Sequence, residues 1–131
     1  MKTKSPDIVT SKQLEKLRSK RYPRLVDRDG KTWLVDEHGV LYVDRPVKAV
    51  TPPSGSQVAI VITWIADHQD TFRRIRSAFR LKSFIEQTTN TYVSNGAACV
   101  ALAAIGTRLV MAVDMAGDVR IIHSPRKDAN R

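Results

Sequence analysis

The stretch from Thr71 to Ser83, TFRRIRSAFRLKS, places Arg73, Arg74, Arg76, Arg80 and Lys82 close together and contains no carboxylate. Clustered guanidinium groups do one kind of chemistry well: they pair with phosphate or carboxylate oxygens in a fixed fork and do not titrate. A second cationic set lies in the N-terminal arm. Residues 1–24 carry Lys2, Lys4, Lys12, Lys16, Arg18, Lys20, Arg21 and Arg24 against only Asp7 and Glu15. From this arm Lys16, Lys20 and Arg21 join the candidate binding set. The chain as a whole has 22 Lys and Arg against 13 Asp and Glu, a formal charge of +9, and a pI near 10.1. Such a surface attracts polyanions or acidic protein faces.

Other chemistry finds little support. The glycines at 30, 39, 55, 96, 106 and 117 form neither G-x-G-x-x-G nor a Walker loop, so no phosphate cradle for a nucleotide cofactor is legible. His38, His68, His123 and Cys99 show no paired spacing, and a zinc site is not expected. The sequence DRDG opens like a calcium loop, but Lys31 takes the next ligand position and no glutamate closes it, which leaves a turn. Asp36, Glu37 and His38 adjoin in a turn, and His68 falls on an apolar helix face as a core histidine. No catalytic set is assigned, no cofactor or metal is expected, and the chain reads as a non-enzyme. The single cysteine excludes an internal disulfide. With no apolar run near the ~18 residues of a membrane helix and no apolar segment behind the N-terminal charges, a soluble cytoplasmic protein without membrane contact is expected.

These residues need elements to position them. A chain of 131 residues with 42% apolar content supports one domain with a real core. Residues 1–22 read as a basic arm with a short helix. Thr10 can cap the amide of Gln13, Val9 can pack on Leu14, and Pro23 stops the helix. Residues 23–123 read as a single α+β domain. Within it, 23–45 has three short apolar runs parted by DRDG and DEHG, the pattern of an antiparallel meander. Residues 50–57, VTPPSGSQ, form a loop. VAIVITWI, residues 58–65, is apolar on both alternating faces and β-branched, so it reads as a central strand; the competing pattern is one long helix from about 57 to 87 capped by Ser56. A long basic amphipathic helix follows to about Gln87, burying Phe72, Ile75 and Phe79 and turning its arginines outward. Residues 97–123 repeat the hairpin pattern as a second meander, with Cys99 buried among alanines. The tail, 124–131, has nothing to pack and is expected to be disordered.

The expected function is non-enzymatic binding of nucleic acid through backbone phosphates. The alternative is a small accessory or inhibitory protein that docks on an acidic protein surface or nucleoprotein complex. Aromatic residues make up only 6% of the chain and no RNA-recognition aromatic signature occurs, so base stacking is not expected from the sequence. Trp33 and Trp64 lie in strand-like runs where burial is their natural fate.

Overall fold

The computed structural model describes residues 8–18, 22–45, 50–112 and 117–123. They form a small α+β domain of five helices and two antiparallel sheets, one of three strands and one of two. The first helix, α1 (Ser11–Arg18), starts where Thr10 Oγ1 accepts the Gln13 amide at 3.0 Å. The chain just before it is pinned by backbone bonds between Val9 and Asp44 and Arg45.

Strands β1 (Arg24–Val26), β2 (Thr32–Asp36) and β3 (Gly39–Val40) pair in the order β1-β2-β3. Two aspartates build their turns. Asp27 Oδ1 accepts the amides of Asp29 and Lys31, while its Oδ2 accepts the Trp33 indole at 3.0 Å. Asp36 Oδ1 accepts the amides of His38 and Gly39, and Gly39 takes the positive φ of 132° that this turn requires. The twofold alternation of side chains divides this sheet between two cores. Leu25, Trp33, Val35 and Val40 face the main core, whereas Leu34 packs with Val9, Leu17 and Leu41 in a smaller one that holds α1.

Residues 58–65 are not a strand. They lie in α2 (Gly55–Asp67), which is capped by Ser54 rather than Ser56 and ends well before residue 87. Val61, Trp64 and Ile65 form its buried face at helical spacing, and β-branched side chains are accepted because packing against another helix outweighs their weak intrinsic preference. That other helix is α5 (Asn95–Ala104), where a strand over AACVALAAI was expected. Ser94 caps it by accepting the Ala97 amide at 3.0 Å. Gly96, Ala97, Ala98, Cys99, Ala101 and Leu102 are all buried. α5 contacts α2, and its small side chains admit β1, β2 and β3 as well. Gly96 is needed for that approach, since a Cβ there would collide with the Asp36 carbonyl.

The long basic helix is also absent. α3 (Gln69–Phe72) is a single turn, residues 73–77 leave the helix, and α4 (Ala78–Thr89) begins anew with Ser77 accepting the Arg80 amide at 3.1 Å. The interruption has a long-range cause. The strands β4 (Arg108–Met111) and β5 (Val119–Ile122) form a two-stranded ribbon, and β5 takes backbone groups that a continuous helix would have used itself. Ile121 N donates to the Arg76 carbonyl at 2.8 Å, Ser77 bridges Arg120, and Asp118 Oδ1 accepts the Phe79 amide at 3.0 Å. The described part of 97–123 is thus a helix and a two-stranded ribbon rather than a second meander. No described helix is long and apolar enough to cross a membrane.

Restarting at Ala78 resets the helical phase. Phe72 and Ile75 are buried as the sequence pattern requires, but the inward face of α4 is Ala78, Leu81 and Ile85. Phe79, expected in the core, is 49% exposed.

Candidate functional site

Arg73, Arg74, Arg76 and Arg80 are all exposed. Arg73 lies 3.6 Å from Asp70, an exposed pair of little energetic weight. The Arg80 guanidinium sits 5.8 Å from the Phe84 ring. Lys82 is the most engaged of the five: only 18% of its side chain is exposed and its ammonium contacts Glu86 at 3.0 Å. Lys16 is exposed on α1. Because α1 packs on the sheet face turned away from the main core, the sheet separates Lys16 from the 71–83 arginines. Lys20 and Arg21 lie outside the described residues.

The ribbon contributes cations that the sequence reading passed over. Leu109, Met111, Val119 and Ile121 share its inward face, so the register Arg108↔Ile122 and Val110↔Arg120 leaves both arginines on the outward one. Arg108 and Arg120 are diagonal neighbours there, roughly 7–8 Å apart. The backbone bond from Ile121 to Arg76 sets Arg76 beside β5, and the bond from Arg28 N to the Leu109 carbonyl sets Arg28 beside β4. Arg108 and Arg120 thus share the outward face of the ribbon, while Arg76 and Arg28 are exposed on segments bonded to its two edges; the bridge sets Ser77, not Arg76, opposite Arg120. Among the described residues no carboxylate pairs with any of the four. The signal in the sequence was the alternation in TRLVM and DVRII, which puts each arginine out of phase with the buried leucine and isoleucine.

A groove of about 610 Å³ opens between α1 and the first sheet. Leu14, Leu34 and Leu41 give it apolar lining, Arg18, Arg24 and Lys31 line it too, and none of its described lining residues is a carboxylate. Arg24 Nη2 donates to the Arg18 carbonyl at 2.8 Å, which ties the end of α1 to β1.

The titratable groups inside the fold are tied to structural tasks. Asp36 and Arg45 form a buried pair through two bonds, Nη1 to Oδ1 at 3.1 Å and Nη2 to Oδ2 at 3.2 Å, and Arg45 also donates to the Val40 carbonyl. Asp36 is thereby withdrawn from the Asp36, Glu37, His38 group, leaving Glu37 and His38 as a surface contact at 3.6 Å. His68 stacks on Trp64 with ring centroids 4.2 Å apart and its Nδ1 lies 2.8 Å from the Trp64 carbonyl. Burial pushes the Cys99 thiol well above its ordinary range, with the charges of Asp118 and Asp36 adding to the effect, the opposite of what an activated nucleophile needs. Burial likewise raises Asp118. The indole bond from Trp33 leads the interactions that hold Asp27 below the usual carboxylate range. Among the described residues, no group of three or more His, Cys, Asp or Glu side chains is placed to hold a metal ion.

Set against known proteins, the chain matches no family model, no curated protein and no solved structure.

Proposed function

We propose that this is a non-enzymatic nucleic-acid-binding protein that holds its ligand by the phosphate backbone, in a cytoplasmic setting that suits its single free thiol. The observation that carries the proposal is the pair Arg108 and Arg120 on the outward face of the ribbon, with Arg76 and Arg28 exposed on the segments bonded to its edges, none of the four paired with a carboxylate among the described residues; Arg73, Arg74 and Arg80 are exposed as well. Guanidinium groups without carboxylate partners repel one another, and a polyanion removes that repulsion while releasing its own condensed counterions. Phosphate contacts of this kind orient a protein on its ligand without reading sequence. Titration against oligonucleotides of unrelated sequence, at several salt concentrations, tests it. Similar affinities that fall linearly in log K against log salt are expected. No binding at low salt overturns the proposal.

The groove beside α1 supports a second reading, an accessory protein that takes an acidic segment of a partner. Its leucine lining with three cations, and no carboxylate among the described lining residues, suits a peptide carrying both acidic and aliphatic side chains. Under this reading an acidic, leucine-bearing peptide binds, and Arg18→Gln with Arg24→Gln abolishes binding while leaving nucleic-acid affinity nearly unchanged. A peptide that binds the double variant as well as the parent protein removes this reading.

A further inference from the structure

Phe79 and Tyr92 expose 49% and 62% of their surface, although aromatic rings of this size contribute most to stability when buried. Both rings flank one ammonium. Lys82 Nζ lies 5.8 Å from the Phe79 centroid and 5.2 Å from that of Tyr92, and Glu86 fixes it with contacts of 3.1 and 3.0 Å.

The backbone on which each ring stands is anchored. Phe79 belongs to the first turn of α4, where its amide is held by buried Asp118. Tyr92 follows Asn90, whose positive φ of 54° ends α4, and precedes Val93 and Ser94. Val93 is fully buried, and the Ser94 amide donates to Gln57 Oε1 at 2.9 Å. Two rings on pinned backbone, exposed on one side of α4, form a surface organised before any ligand arrives.

We infer that Phe79 and Tyr92 are a stacking platform for unpaired bases, so that the ligand is single-stranded nucleic acid. This rests on the phosphate-binding reading above and narrows it. Exposed rings offer π-faces that any base can cover, whereas the bases of a duplex are already stacked on one another. Because Glu86 neutralises Lys82, the patch supplies stacking more than charge. The phosphates on either side meet exposed Arg80, which follows Phe79 on α4, and exposed Arg120, which the bridge sets opposite Ser77.

The test measures binding of a labelled mixed-sequence single strand and a duplex of equal length to the full chain and its variants. Phe79→Ala and Tyr92→Ala should each weaken single-strand binding by roughly 5- to 150-fold, the range for losing one stacked base, and hardly change duplex binding. Phe79→Trp should keep single-strand affinity, while Phe79→Leu, which keeps an apolar side chain without a π-face, should lose it. Alanine variants that bind the single strand like the parent overturn the platform, as does full affinity in the leucine variant. If the arginine-dependent salt response persists in those cases, the platform alone falls. A parent protein that binds neither ligand removes the phosphate-binding reading as well.

Discussion

Replacing Arg76, Arg108 and Arg120 together by Gln should flatten the salt dependence of nucleic-acid binding by a calculable amount. Arg108 and Arg120 share the outward face of the ribbon, Arg76 is exposed on the segment bonded to β5, and none of the three has a carboxylate partner among the described residues, so each is free to neutralise one phosphate. Each lost phosphate contact removes about 0.7 from the log-log salt slope on a single strand and about 0.9 on a duplex. Three contacts therefore amount to about 2 units on a single strand. If affinities at 1 M salt are unchanged, a slope lower by about 2 corresponds to roughly hundredfold weaker binding at 0.1 M. The fold should survive, because exposed surface substitutions usually move stability by no more than about 0.5 kcal/mol. Lys82→Gln provides an internal comparison: its ammonium is already paired with Glu86 at 3.0 Å and should change the slope far less. Fluorescence anisotropy across a salt series, with circular dichroism to confirm folding, measures both. A folded triple variant whose slope equals that of the parent would show that these arginines do not touch phosphate.

Other perturbations test the fold that carries the surface. Phe79→Ala should cost less than about 1 kcal/mol in urea unfolding and Leu81→Ala about 2–5, reversing the order that an unbroken 68–87 helix implies. Gly96→Ala should destabilise by about 3 kcal/mol or more, since the added methyl meets backbone that cannot move aside alone. Cys99 should react with a thiol reagent only as fast as the protein opens, and rapid stoichiometric labelling of the native protein would contradict its burial. Asp118 is raised above the ordinary 3.8, so between that value and its folded pKa the folded state holds more proton than the unfolded one. Stability should therefore fall as pH rises through that window and level off above it, and Asp118→Asn should remove this component from urea midpoints measured against pH.

What could be read in advance was local. Thr10 caps α1 and the aspartates of DRDG and DEHG bond their own turns, because each interaction spans only a few residues. The two segments expected to be strands and found helical share a different property. α5 is covered by helices on some sides and by strands on another, and a helix buried nearly all round has no polar face from which a period of 3.6 could be recognised. Over eight residues α2 raises the same difficulty, and there β-branched composition pointed to a strand that tertiary packing overrode.

The proposed surface depends on contacts that no local pattern encodes. Continued through residues 73–77, the helix would have kept Phe79 in the phase of Phe72 and Ile75 and buried it. The bonds from Ile121 to Arg76 and from Phe79 to Asp118 break that helix, and three consequences follow from the same break. Phe79 rotates out to 49% exposure, Leu81 takes over the core position, and exposed Arg120 is set opposite Ser77, two residues before Phe79. The basic stretch alone suggested phosphate binding. The join between residues 75–79 and β5 pairs that charge with an exposed aromatic ring, and a ring beside arginines is what distinguishes a single-strand surface from a merely cationic one.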